Sequence, residues 1–121
     1  MPETVAVLGA SPNPDRYSNK AIRLLREHGH TVLPVNPAQT EIEGLAVVPS
    51  VDKLPRDIDT VTVYVSPRHS GGLLPGLIAL HPKRVIFNPG AESAELIKGL
   101  RAADIQVEEA CTLVLLRTRQ F

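Results

Sequence analysis

Short apolar and β-branched runs predict five strands, and apolar residues at helical spacing predict the helices between them. The predicted strands cover 5–8, 31–35, 59–65, 84–87 and 105–108. A first helix is expected between Ser18 and Gly29, and a second from about Pro67 to Leu80. The third helix should bury Leu96, Ile97, Leu100 and Ala103, and a short fourth helix covers 111–117.

Strands that alternate with helices pair in parallel through right-handed crossovers. The pattern therefore predicts one α/β domain over residues 1–121, a doubly wound parallel sheet of about five strands in the order 3-2-1-4-5. In that order the chain reverses between the first and fourth strands, where the carboxyl ends leave a crevice. Pro34 in the second strand has no backbone N–H, which counts against an interior position for that strand.

The junction between the first strand and the first helix has the features of a phosphate site. Gly9 lets the backbone turn sharply and a ligand approach closely. Ser18 is predicted to cap the helix, whose first N–H groups would face the loop. Arg16 and Lys20 flank the helix start and add positive charge. The alternative interpretation is an ordinary turn with a solvated arginine.

Four turns follow the carboxyl ends of predicted strands and should meet at one edge of the sheet. They are Gly9-Ala10-Ser11, Asn36-Pro37, Val65-Ser66-Pro67-Arg68 and Asn88-Pro89-Gly90. Any single turn of this kind collects Asn, Pro and Gly. Four of them together favour a cleft that holds a flat ring and a diphosphate.

Three absences disfavour the nicotinamide cofactors. The first loop lacks the later glycines of a G-x-G-x-x-G pattern, and the second strand ends in Asn36 rather than in an acidic residue. NADP would require a nearby arginine for its extra phosphate, and no arginine occurs between Arg26 and Arg56.

Three segments carry a family resemblance: VLGASPNPDRYSNKAIRLLREHGHTVLPVNP, VIFNPGAE and VEEACTLVLL. They are similar to the small stand-alone CoA-binding proteins, whose Rossmann-like fold is that of the CoA-binding domain of succinyl-CoA synthetase. The resemblance extends over nearly the whole chain. It is most specific in the Gly-Ala-Ser-x-Asn-Pro loop that ends at Ser18 and in the Asn36-Pro37 turn.

The resemblance implies coenzyme A as the cofactor and gives each turn a role. The CoA diphosphate would be held by the first loop, at Gly9, Ala10, Ser11, Asn13, Arg16 and Ser18. The adenosine would lie over Asn36 and Pro37. The adenine or the pantetheine arm would be bordered by Ser66, Pro67 and Arg68, and the far side of the cleft lined by Asn88, Pro89 and Gly90.

Two positions depart from the family pattern. Many relatives have a lysine directly after the Asn-Pro turn, where it can meet the ribose phosphate of CoA, whereas this chain has Ala38-Gln39. Others have Asp-Arg ahead of the late cysteine, where this chain has Glu109-Ala110. The first departure weakens the specificity for CoA, so another adenine nucleotide could fit.

Charge and cysteine content restrict the remaining functions. Thirteen basic residues balance thirteen acidic ones, so the basic excess of a nucleic-acid-binding surface is absent. No apolar run approaches the length of a membrane span, and Met1-Pro2-Glu3 lacks the layout of a signal peptide. A cytoplasmic location is therefore expected. The single Cys111 cannot form a disulfide within the chain, which agrees with a reducing compartment.

Catalytic and metal-binding residues are not predicted, because no nucleophile is paired with a base and no metal-ligand spacing occurs. Cys111 has two interpretations. It is either a small buried hydrophobe or a thiol of lowered pKa near a helix start, able to form a mixed disulfide with the CoA thiol.

The sequence thus predicts a non-catalytic module that binds a small nucleotide ligand, CoA or an acyl-CoA. It does not identify a protein partner. Two alternatives stay open. One is an oxidoreductase-like domain that uses a nicotinamide or another adenine nucleotide, and the other is an interaction protein with an empty cleft. Binding assays with CoA, acetyl-CoA, NAD, NADP, ATP and ADP distinguish the three.

Overall fold

The computed structural model, which describes residues 2–121, has a parallel sheet with helices on both faces. In chain order, the strands are β1 (Thr4–Leu8), β2 (Thr31–Val35), β3 (Glu41–Ile42), β4 (Leu45–Ala46), β5 (Thr60–Val63), β6 (Arg84–Phe87) and β7 (Gln106–Glu109). The helices are α1 (Tyr17–Glu27), α2 (Leu74–Leu80), α3 (Ala94–Ala102) and α4 (Thr112–Arg117), with a 3-10 turn at Val51–Lys53. Within residues 2–121, no helix has the length and apolarity that crossing a bilayer requires.

The predicted α/β class is confirmed, since five parallel strands form the main sheet and β3 and β4 form a separate antiparallel hairpin. Side chains of β1 alternate between two hydrophobic cores. Val5 and Val7 belong to the core shared with α1 and α4, whereas Ala6 and Leu8 belong to the core shared with α2 and α3. Both faces of β1 are covered, which explains its unbroken apolar sequence. The domain extent of 1–121 stays a prediction, and Met1 lies outside the described residues.

The order of the strands differs from the predicted one. The sheet runs β2-β1-β5-β6-β7, which in the numbering of the five predicted strands is 2-1-3-4-5 and not 3-2-1-4-5. β2 therefore lies at an edge, as the missing N–H of Pro34 favours. Val48 meets the outer side of β2 and donates to the Pro34 carbonyl at 2.9 Å, while β5 pairs with β1. The crevice thus lies between β1 and β5 instead of β1 and the fourth predicted strand, β6.

Two helix starts also differ from the sequence prediction. Arg16, and not Ser18, occupies the N-cap position of α1, and Ser18 lies buried in the first turn. The second helix begins at Leu74 rather than near Pro67. Pro75 has no N–H and is tolerated in a helix only within the first turn, so the residues before Leu74 form turns instead.

His30 connects the two ends of the described chain at the opposite edge of the sheet. Its Nδ1 accepts a hydrogen bond from the N–H of Glu3 at 2.9 Å, and its ring packs edge-on against Phe121 with 5.0 Å between centroids. Burial lowers the pKa of His30 below the ordinary 6.5, although the Glu3 carboxylate opposes this effect. An Nδ1 that accepts a hydrogen bond carries no proton, so the folded form holds the neutral ring.

We expect the protein to lose stability as the pH falls below the ordinary pKa of this histidine. The unfolded chain takes up the proton more readily than the folded chain, so the contribution of His30 is complete above about pH 6.5 and declines toward the lowered pKa. His30→Asn keeps an acceptor and should flatten the melting temperature between about pH 7.5 and 5.5. His69→Asn, at an exposed position, should keep the wild-type slope, and a wild-type slope in both variants would contradict this role.

Candidate functional site

Each of the four predicted turns contributes to a groove of about 440 Å³ at the carboxyl edge of the sheet, called the main groove below. Most of the predicted site residues line it: Gly9, Ala10, Ser11, Arg16, Ser18, Asn36, Ser66, Pro89 and Gly90. The others lie outside its lining. Of these, Asn13, Pro37, Pro67 and Arg68 are exposed and Asn88 is buried.

Gly9 is the point at which β1 approaches the end of β5. Its φ is +79°, a conformation that residues with a side chain rarely adopt. A Cβ at this position would also lie 3.1 Å from the carbonyl carbon of Tyr64 and 3.1 Å from Cγ2 of Val65. The positive φ and the lack of space for a Cβ both require glycine at this position. Gly9 therefore determines the shape of the main groove where β1 ends.

The loop before α1 is shaped by its own hydrogen bonds. The Ser11 hydroxyl accepts from the N–H of Asn13 at 3.1 Å, and the Asn13 side chain accepts from the N–H of Asp15 at 3.0 Å. Asn19, fully buried in α1, donates to the Ser11 carbonyl at 2.9 Å and fastens the loop to the helix. Asn13 therefore builds the loop. Asn19 was missed by the sequence analysis, because an asparagine within a helix gives no specific signal.

α1 presents an uncapped N-terminus to the main groove. No side chain accepts a hydrogen bond at its N-cap, and its first turn contains no acidic residue. The first N–H groups of a helix lack partners within the helix and carry the positive end of its dipole. Arg16 is exposed, and within residues 2–121 its side chain forms no ion pair. These features together suit an anion.

Asn36 uses its side chain to fix the second turn. Its Nδ2 donates to the carbonyl of Ala10 at 2.8 Å, and its Oδ1 accepts from the N–H of Ala38 at 2.7 Å. The side chain thus joins the second turn to the first loop. This turn therefore shapes the main groove, but the side-chain amide of Asn36 is already bonded to the backbone.

Asn88 lies beneath the fourth turn in a buried polar network. Its Nδ2 donates to Oγ1 of Thr62 at 2.7 Å and to the carbonyl of Val63 at 2.9 Å, and its Oδ1 accepts from the N–H of Thr112 at 2.9 Å. The hydroxyls of Thr62 and Thr112 are also paired, at 2.8 Å. Asn88 is 2% exposed, so its side chain joins β5, β6 and α4.

A smaller pocket of about 260 Å³, called the side pocket below, adjoins the main groove. Its lining is Tyr17, Tyr64, Asn88, Pro89, Cys111, Leu113 and Arg117. Three of these, Tyr17, Tyr64 and Pro89, also line the main groove. Cys111 is a free thiol and is half-buried, which does not match the first interpretation, a small buried hydrophobe.

Two tyrosines form walls that the sequence analysis missed. The Tyr64 hydroxyl is buried and has no hydrogen-bond partner within residues 2–121. Burial raises the pKa of Tyr64 to about 12. Tyr17 is 68% exposed at the mouth of the main groove. Its place between two predicted site residues was an available signal, whereas Tyr64 was hidden in a predicted strand.

Comparison with known proteins gives one family over most of the chain. The model of a family described as "CoA binding domain" matches residues 3–117. An ADP-forming acetate–CoA ligase I of Archaeoglobus fulgidus is 41% identical over 64 residues, which make up 53% of this chain and 9% of the ligase. The matched stretch is therefore a small part of a much longer enzyme.

Solved structures resemble the whole chain. One crystal structure, of a protein described only as uncharacterized, superposes with a TM-score of 0.95 at 35% identity and covers 100% of this chain and 99% of that one. A Thermus thermophilus protein, cell-free ID.343, superposes with a TM-score of 0.89 at 36% identity and covers 99% and 91% of the two chains.

Proposed function

The chain belongs to the CoA-binding domain family, and on that premise we propose that it binds coenzyme A or an acyl-CoA in the main groove as a non-catalytic module. The observation that carries this proposal is the uncapped start of α1, which opens onto the groove beside Gly9 and Arg16.

The diphosphate is the part of CoA that fits the start of α1. The free N–H groups of the first turn offer donors, and this turn contains no acidic residue of its own. Arg16 lines the groove at the N-cap position and has no carboxylate partner within residues 2–121. A bound phosphate would supply the negatively charged partner of Arg16.

The adenosine is proposed to lie against the second turn, and the adenine or the pantetheine arm against the third. Asn36 and Ser66 line the main groove. Pro37, Pro67 and Arg68 are exposed outside its lining. Their proposed contacts are therefore with the part of the ligand that extends beyond the groove.

The non-catalytic character is part of the same proposal. Within residues 2–121, no Ser, Thr or Cys side chain is hydrogen-bonded to a histidine: His30 accepts from a backbone N–H, and His81 contacts a backbone carbonyl. A nucleophile without a neighbouring base is poorly activated. The cytoplasmic location expected from the sequence also stays a prediction.

Replacing Arg16 with Ala should weaken the binding of CoA by about tenfold or more, because a charge-assisted hydrogen bond contributes about 1.5–3 kcal/mol. Isothermal titration calorimetry measures the change. Arg56→Ala is the matched control, since Arg56 is exposed in the connection before β5 and lies outside the groove lining. The control should bind CoA as the wild type does.

Three results would count against the proposal in different ways. Wild-type affinity in Arg16→Ala would place the diphosphate elsewhere. Tighter binding of NAD or NADP than of CoA would favour the oxidoreductase-like alternative. No binding of CoA, acetyl-CoA, NAD, NADP, ATP or ADP by the wild type would leave the interaction protein as the remaining interpretation.

A further inference from the structure

We propose that the side pocket receives the thiol end of CoA together with a short acyl group, an assignment that rests on the function proposed above. The ligand class is thereby narrowed to acyl-CoA thioesters with short chains. The starting observation is that the side pocket and the main groove share three lining residues, Tyr17, Tyr64 and Pro89.

Tyr17 provides a path between the two ends of such a ligand. It is the first residue of α1, where the diphosphate is proposed to bind, and it also lines the side pocket. A flexible pantetheine arm that begins at the diphosphate can therefore follow this side chain into the side pocket.

The lining of the side pocket suits an uncharged thioester. Leu113 is 4% exposed and, with Pro89 and the ring of Tyr64, supplies apolar contact. The Asn88 amide is already engaged by protein atoms. Arg117, the one charged residue among the described residues of the lining, is exposed. Apolar walls with few polar groups are usual for small-molecule pockets.

The size of the side pocket restricts the acyl group. Its 260 Å³ corresponds to roughly nine groups of water size, at about 30 Å³ each. That volume accommodates the thioethylamine end of CoA with an acyl group of about two to four carbons. The pocket cannot deepen easily, because the hydrogen bonds of Asn88 to Thr62 and Thr112 hold its buried side in place.

The reactivity of the Cys111 thiol shows whether the side pocket is occupied, because Cys111 lines this pocket and is the only cysteine in the 121 residues. The experiment measures the rate at which N-ethylmaleimide alkylates the intact protein, by mass spectrometry. Acetyl-CoA at about 100 times its Kd should slow alkylation about tenfold or more. ADP, which has the diphosphate but no pantetheine arm, should leave the rate unchanged at an equally saturating concentration.

A second measurement does not depend on the reactivity of the thiol. Cys111→Phe places a ring in the side pocket and should weaken acetyl-CoA binding about tenfold or more in calorimetry. Its affinity for ADP should stay at the wild-type value, which also shows that the variant is folded. Val114→Phe is the matched control, because it adds a ring at a position of α4 that is 51% exposed and lies outside the lining of the side pocket. It should bind both ligands as the wild type does.

The outcomes separate this assignment from the proposed function. If acetyl-CoA binds but neither slows alkylation nor loses affinity in Cys111→Phe, the thiol end lies elsewhere and CoA binding survives. Equal protection by ADP, or equal affinity for octanoyl-CoA and acetyl-CoA, would also overturn the assignment. A wild type that does not bind acetyl-CoA at all would overturn the proposed function itself.

Discussion

Gly9→Ala is expected to lower the free energy of unfolding by about 2–5 kcal/mol. A side chain in the left-handed region costs about 1–2 kcal/mol, and forcing atoms into a packed site costs about 1–3 kcal/mol more. The added Cβ would meet the Tyr64 backbone at 3.1 Å and the Val65 amide nitrogen at 3.2 Å. These are main-chain atoms next to β5, so they cannot rotate away as a side chain would.

Urea denaturation measures this loss. Gly44→Ala is the control that separates the cost of the positive φ from the cost of the close contact with the backbone of Tyr64 and Val65. Gly44 has a φ of +75°, close to the +79° of Gly9, but a Cβ there would have nothing within 4 Å. The control should therefore lose only the conformational part, about 1–2 kcal/mol. If both variants lose the same amount, the contact with β5 is not the reason that Gly9 is required.

The strands could be predicted because their apolar runs are bounded by turn formers. β2 and β6 occupy the predicted residues, 31–35 and 84–87, and both are followed by Asn-Pro. The order of the strands could not be read in the same way, since it depends on which strand edges are free. Pro34 indicated the position of β2, because a strand residue without an N–H is favoured at an edge. This single proline was not sufficient evidence against the predicted order 3-2-1-4-5.

Two local errors have a common cause, which is that periodicity fails over short or interrupted segments. β3 and β4 have two residues each, too few for an alternating pattern to appear. The available signal was Glu43-Gly44 between two apolar residues, and both turn residues have positive φ. In α2, the apolar spacing continued upstream of Pro75, but the helix itself could not.

The position of the main groove was predictable to the extent that the topology determines it. A parallel sheet brings the carboxyl ends of its strands to one edge, which is why all four turns contribute to the main groove. The direction of each amide was not predictable. An asparagine in a turn can face a ligand or the backbone. Asn88 bonds to Thr62 and Thr112, which are 26 and 24 residues away in sequence, so its neighbours in the sequence give no sign of its direction.

Asn88→Ala is expected to lower the free energy of unfolding by about 2–4 kcal/mol. The substitution removes three hydrogen bonds and leaves the N–H of Thr112 without a partner at the start of α4. A buried donor left unsatisfied costs about 1–3 kcal/mol in addition to the net value of the lost bonds. At 2% exposure, the amide could be replaced only by water that entered from the side pocket, which Asn88 lines.

Urea denaturation should show a lower midpoint with an unchanged slope, as expected for a loss of stability without a change in the denatured state. Asn13→Ala is the matched control, because the Asn13 side chain also accepts a backbone N–H, from Asp15, but at an exposed position. Water can satisfy that donor, so the control should change stability by no more than about 0.5 kcal/mol. A similarly small change in Asn88→Ala would mean that β6 and α4 are held together by apolar packing alone, and that the floor of the side pocket does not depend on this amide.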